Sequence, residues 1–487
     1  MTTHRRWWGL AALSLAVLAL GFDLTILNVA LTTLSTDLDA STSALQWIVD
    51  AYVLVFAALL LPAGMLGDRY GRRRLLLAGL AVFGAASLGG AYATGTGGVI
   101  AARAAMGVGA AILVPMSMSL LTVLFPPAER TRAVAVWSAS MAIGLPFGPL
   151  LGGWLLEHFW WGSVFLVNVP VALLAAVAAV AFLPASRDTA APPLDVPGAL
   201  LSAAGLAALV FGVIEAPVRG WGDPLVLGTL AGAVVVLAGF VRWERRRDRP
   251  LVDLALFGDA LFRRPVITAV WATLMMAGLL FVLPQYLQAV RGHGTLATGV
   301  RMIPMLAGLL VGSAVTERLT RRLGRDAVMA AGLAVVAAGF GLGTLSAPGS
   351  GDAFTAAWLA VAGIGFGLAL IPAMDGVLAR LPDGRTGSGS GLVQALRQTG
   401  AALGVAGLGS VLSAVYRDRV DGDAIGADVA RAVRTGDAEL LAAARDAYTT
   451  GMAVVLGGCA LASAALAALL AARRADAPES GDEHAAR

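Results

Sequence analysis

The chain has 487 residues, 58% of them apolar and only 14% charged, whereas soluble chains carry about 45–50% apolar and about 25% charged residues, which excludes a soluble globular protein. All 35 basic residues are Arg. Without Lys, this chain has neither the phosphate-binding Lys of a P-loop ATPase nor a Schiff-base Lys, and its small excess of +4 sits in loops, where it speaks for topology and not for nucleic acid.

Continuous apolar runs of about 20 residues read as membrane-spanning helices; a β-barrel would show short alternating segments instead. About fourteen such runs follow one another, with cores at 8–31, 44–66, 75–94, 98–122, 133–157, 164–184, 196–216, 224–243, 265–289, 297–319, 326–346, 353–376, 386–415 and 448–472. The first run follows Arg5 and Arg6, holds Asp23 and lacks a small-residue cleavage site, so it reads as a retained helix and not as a signal peptide. Short Arg-rich loops stay in the cytoplasm. The turns around Arg69 to Arg74, Arg130 and Arg132, Arg187, Arg242 to Arg264, Arg318 to Arg325, Arg380 and Arg385, and Arg473 and Arg474 alternate with loops that carry Arg219 or Arg291 alone, or no Arg. The alternation puts both termini in the cytoplasm and the long polar segment 416–447 outside. Trp7, Trp8, Trp160, Trp161, Trp221 and Trp243 fall near run ends and read as an aromatic belt.

The most concentrated polar signal is Gly64-x-x-x-Asp68-Arg69-x-Gly71-Arg72-Arg73, between the second and third runs. A weaker copy, with Gly312, Thr316, Glu317, Arg318, Arg321, Arg322 and Gly324, follows the tenth run, and Ala-Gly-Leu-Ala-Val follows both copies, at Ala78 and at Ala331. Parallel repeats of this kind build transporters from two like halves. The copies lie eight runs apart rather than six, so two helices are inserted between the halves, and 196–216 with 224–243 are the candidates. The division expected is a six-helix bundle over 1–190, two inserted helices and an Arg-rich linker over 191–250, a second six-helix bundle over 251–475, and a disordered cytoplasmic tail over 476–487.

Charges inside apolar runs are costly and mark function by default. Asp23 lies in the first run, as a working carboxylate or as a packing residue bonded to Thr25 or Asn28. Asp50 lies in the outer third of the second, as a cavity acid or a hydrated interfacial one. Arg103 lies inside the fourth and must face a cavity or an acid; Asp375 is near the inner end of the twelfth, and Arg397 lies in the thirteenth. Glu215, which ends the seventh run, reads as interfacial. The fifth run carries Gly144-x-x-x-Gly148-Pro149-x-x-Gly152-Gly153, small residues that let helices approach closely and a Pro that bends a membrane helix. Cys459 stands alone in the last run as a packing residue, and the four His have no partner at metal spacing.

The Gly64–Arg73 turn resembles the loop signature of the major facilitator superfamily. Phe22-Asp23-Leu24-Thr25-Ile26 with Asn28-Val29-Ala30-Leu31 resembles the first-helix signature of its fourteen-helix drug:proton antiporters, with Phe22 and Thr32 as departures. Arg103-x-x-Met106-Gly107-x-Gly109 is similar to a family run whose Arg is implicated in proton transfer, with Met106 in place of Gln, and the Gly144–Gly153 pattern resembles the antiporter signature. The resemblance implies an all-α polytopic membrane protein of fourteen transmembrane helices, two six-helix bundles plus the inserted pair, rocking about a midplane cavity. It implies export of a drug-like or antibiotic small molecule in exchange for protons, with no ATP and no cofactor. Asp23, Asp50, Arg103 and Asp375 would serve proton or substrate, while Gly64, Asp68, Arg69, Gly71, Arg72, Arg73 and the Gly144, Gly148, Pro149, Gly152, Gly153 set would serve gating. An uptake symporter of the same superfamily is the alternative. Two acids favour a cationic or amphipathic cargo, although Arg103 and Arg397 are able to meet an anion.

Overall fold

The computed structural model describes residues 3–40, 42–185, 195–247, 254–380, 386–420 and 425–475, and apart from turns these are helical. In chain order the α-helices are α1 (Thr3–Asp37), α2 (Thr42–Tyr70), α3 (Arg72–Ala91), α4 (Thr96–Leu124), α5 (Pro127–His158), α6 (Ser163–Leu166), α7 (Asn168–Phe182), α8 (Val196–Arg219), α9 (Pro224–Glu244), α10 (Ala260–Gln285), α11 (Thr295–Leu323), α12 (Arg325–Gly343), α13 (Asp352–Leu378), α14 (Thr386–Arg417), α15 (Ile425–Thr435) and α16 (Ala438–Ala475). A π turn, Tyr286–Val290, extends α10.

Twelve helices among the described residues are long and apolar enough to cross a membrane, against the fourteen expected from the sequence. The two missing from the twelve are α2, in which only Trp47–Leu60 is an apolar stretch, and α5; both have the length, with 29 and 32 residues. The expected outer loop 416–447 is also largely helical: α14 runs on to Arg417, α15 occupies its middle, and α16 begins ten residues early. Its Ala, Leu and Arg are strong helix formers, which outweighs polarity once Asp428 is buried against the Tyr416 hydroxyl, which donates to its Oδ2 at 2.9 Å. The tail 476–487 lies outside the described residues.

Packing repeats along the chain. α1 lies on α5 as α10 lies on α14; α2 lies on α4 as α11 lies on α13; α3 lies on α4 and α7 as α12 lies on α13 and α16. One core gathers Leu13, Phe56, Phe83 and Phe165, and another gathers Leu283, Phe340, Trp358 and Phe366. The two sets meet along two seams, α5 with α11 and α2 with α14, which the repeat makes equivalent. The α8–α9 hairpin leans on the second seam, where Val210 and Ile214 pack with Ala402, Val53 and Leu54.

The repeat register is set by two glycines. Gly71 joins α2 to α3 at φ 104°, and Gly324 joins α11 to α12 at φ 82°. Ala78 and Ala331 stand at the same distance after them, so Gly64 corresponds to Glu317 and not to Gly312, a correction to the register read from sequence. In both copies the next glycine lets neighbouring helices close up. A Cβ on Gly79 would meet Ile112 at 3.0 Å, and one on Gly332 would meet the Ala369 backbone at 2.6 Å. Side chains disfavour the φ of both turns. Gly71→Ala and Gly324→Ala should each cost about 1–3 kcal/mol of stability, seen as a lower melting temperature of the detergent-solubilised protein; an unchanged melting curve would contradict the strain argument.

Candidate functional site

The charges of the first bundle meet at one buried point. Asp23 on α1 and Arg103 on α4 form an ion pair, Nη1 to Oδ2 at 2.8 Å, with both side chains only 2% exposed. Asn168, the first residue of α7, donates Nδ2 to the other oxygen of Asp23, also at 2.8 Å. Arg103 donates Nε to the Ile48 carbonyl of α2 at 3.1 Å, and its guanidinium lies over the Tyr52 ring, 4.3 Å from the centroid. Four helices therefore fix this pair. Burying two charges is costly unless geometry and further hydrogen bonds compensate, and here every contact does that: amide, carbonyl and ring.

Asp50 lies on α2 between Ile48 and Tyr52, the two residues of that helix that touch Arg103, and is 4% exposed; its Oδ2 has no hydrogen-bond partner among the described residues. One turn earlier on the same helix, Trp47 donates Nε1 to Glu215 Oε1 of α8 at 2.9 Å. Glu215, read from sequence as interfacial, is 5% exposed; its other oxygen accepts from Arg219, whose side chain is half exposed.

The Gly–Pro face of α5 lies directly against the Asp23 segment. A Cβ on Gly144 would stand 2.7 Å from the Leu18 carbonyl and 2.9 Å from Gly21 Cα; one on Gly148 would stand 2.6 Å from the Phe22 carbonyl and 2.9 Å from Ile26 N; one on Gly152 would meet Ile26 Cγ1 at 2.7 Å. Gly153 and Pro149 are buried as well. Pro149 faces the other way: a Cβ on Gly299 of α11 would meet its carbonyl at 2.9 Å. This face therefore touches both the acid-bearing helix and the opposite half.

The remaining expected residues lie elsewhere. Asp375 is exposed near the end of α13 and does not join the Asp23 cluster. Arg397 on α14 bonds Thr273 Oγ1 and Gln394 Oε1, each at 3.0 Å, without a carboxylate partner among the described residues. At the Arg-rich turn, Gly64 is buried, Arg69 exposed and Arg72 partly buried, while the side chain of Asp68 lies outside the described residues. Arg73 donates to the Leu183 and Val180 carbonyls at 2.9 and 3.0 Å, and Arg5 donates to Ala181 at 3.3 Å. Two cations thus cap the C-terminus of α7, where free carbonyls and the helix dipole favour positive charge. No cluster of His, Cys, Asp or Glu suited to a metal occurs among the described residues.

Asn168, Tyr52 and the Trp47–Glu215 contact are not singled out by sequence reasoning. The only available signal for Asn168 is an amide within an otherwise apolar run, Val164 to Leu183.

The family model for the Major Facilitator Superfamily matches residues 13–405. The tetracenomycin C resistance and export protein of Streptomyces glaucescens is 33% identical over 85% of this chain and 77% of its own length. The multidrug efflux pump LfrA of Mycolicibacterium smegmatis is 33% identical over 96% of both chains. Among solved structures, a bacterial homolog of the human lysosomal transporter Spinster, in an inward-facing and unoccupied conformation, superposes with a TM-score of 0.67 at 18% identity over 98% of this chain and 100% of that one, a likeness of fold alone.

Proposed function

Since the chain belongs to the Major Facilitator Superfamily, we propose that it is a proton-coupled exporter of drug-like or antibiotic small molecules across the cytoplasmic membrane. In this reading fourteen helices span the bilayer, with α2 and α5 among them and both termini in the cytoplasm. The bundles 1–190 and 251–475 rock about the two seams, and 191–250 supplies the extra pair. The proton gradient drives the cycle without ATP or cofactor: each charge moved through 100 mV is worth about 2.3 kcal/mol.

The observation that carries this reading is the buried Asp23–Arg103 pair lying under the Gly–Pro face that also contacts the opposite half. Movement along the α5–α11 seam cannot leave the Asp23 segment unmoved, because Gly144, Gly148 and Gly152 leave no slack between α5 and α1. Asp23 is saturated by Arg103 and Asn168, so it serves as the switch that senses the movement. Asp50, with an oxygen unpaired, is the acceptor for a proton in one orientation and for a cationic or amphipathic cargo in the other. Asp68 and the Arg turn latch the inner gate at the cytoplasmic end.

Everted membrane vesicles containing the protein test the direction. Acidifying their interior should drive uptake of ethidium and release of protons, both abolished by a protonophore. Accumulation in right-side-out vesicles under an inward proton gradient would establish the uptake symporter instead.

A further inference from the structure

The α8–α9 hairpin has no part in the mechanism above, yet one of its side chains reaches the charged site. Glu215 is buried and is held at 2.9 Å by the Trp47 indole of α2, one turn before Asp50 on that helix. Around this stretch of α2 stand Arg103 of α4, which touches Ile48 and Tyr52 and pairs with Asp23 of α1, and Glu215 with Arg219 from α8; α14 brings the apolar Ala402 against Val53 and Leu54 just beyond. Arg103 neutralises Asp23 and Arg219 neutralises Glu215. The Oδ2 of buried Asp50 has no hydrogen-bond partner among the described residues.

We propose that Glu215 is a working carboxylate of the transport site, supplied by the inserted helix: with Asp50 it holds one exchangeable positive charge, a proton or the cationic group of the cargo. The inference rests on the exporter reading and assigns the extra helices a part in it. Arg219 is the controlling partner. Its side chain is half exposed and belongs to the last turn of α8. When it swings into water, the two carboxylates face each other uncompensated and take up a cation from solution; when it returns to Glu215, the site loses half its negative charge and releases that cation. The bond made and broken is a carboxylate–proton bond or an ion pair, with the proton coming from and returning to water. Two carboxylates close together in a low-dielectric setting share a single positive charge more readily than either holds its own.

The probe is ethidium, a monovalent organic cation, titrated by fluorescence into the purified full-length protein and then followed in proteoliposomes. Glu215→Gln keeps the size of the side chain and an oxygen for Trp47, but removes the charge. It should weaken ethidium binding about tenfold and move the midpoint of the binding–pH profile to lower pH, because a neighbouring negative charge has gone. Arg219→Gln removes the counter-charge and should act in the opposite direction, tightening binding several-fold while slowing release in proteoliposomes. A merely structural Glu215–Arg219 contact would make both variants behave alike, with lower melting temperatures and an unshifted pH profile. That result overturns the proposal, as does failure of the unmodified protein to bind ethidium. If binding responds as expected but no proton exchange occurs in proteoliposomes, the exporter reading fails and the two-carboxylate site stands.

Discussion

Asp23→Asn should abolish proton-driven efflux while protein still reaches the membrane. The substitution leaves Arg103 buried with an uncompensated charge, and breaking such a pair from one side costs about 3–5 kcal/mol. A loss of transport by this variant alone therefore mixes coupling with stability. The double variant Asp23→Asn with Arg103→Gln separates them. It leaves two neutral amides where the ion pair stood, still able to bond one another, Asn168 and the Ile48 carbonyl. We expect it to recover most of the melting temperature lost by the single variant and none of the transport. Recovery of both would reduce the pair to a structural bridge, and the switch would have to be sought elsewhere, at Asp50 first.

The second large effect is expected at Gly148. A side chain there drives into the Phe22 carbonyl at 2.6 Å and into the Thr25 hydroxyl, on the turn that carries Asp23. Backbone cannot yield as the end of a flexible side chain does, so α1 and α5 must separate. Overpacking of this kind costs about 1–3 kcal/mol for a methyl and more for larger groups. Gly148→Ala should lower efflux several-fold, and Gly148→Leu should remove it together with much of the folded protein. Gly232→Ala and Gly407→Ala, where an added Cβ meets nothing within 4 Å, are the matched controls and should leave resistance unchanged in a drug-susceptibility assay. Equal sensitivity at all three positions would show that a general intolerance of bulk, and not the α1–α5 contact, accounts for the Gly148 result.

Much of this architecture is legible in the sequence because hydropathy and charge are local properties. The apolar runs mark helices, the Arg turns between them break the pattern, and the Gly71–Val82 segment has its echo at Gly324–Val335. The individual charges Asp23, Asp50 and Arg103 are legible for the same reason, since each interrupts a run that has no other reason to hold it. Their pairing is not legible. A helix that is apolar all round carries no stripe to show which way it faces, so nothing in Val164 to Leu183 says that Asn168 points at Asp23. The burial of Glu215 is hidden for a related cause. Its place at the end of a run suggests a hydrated interface, but α8 packs on α2 at that level and the Trp47 indole donates to it. Asp375, whose place near the inner end of its run leaves a cavity acid and an interfacial one open, is exposed.

Two like halves would present two like flanks to the surrounding lipid. The hairpin of α8 and α9 ends that equality by covering the seam of α2 and α14, while the seam of α5 and α11 has no such cover among the described residues. In the exporter reading proposed above, the seam that α8 and α9 cover is closed to lateral entry by the chain itself. Cargo dissolved in the membrane is then expected to approach on the α5–α11 side, and any lipid that steadies the protein meets a handed surface instead of a symmetric one.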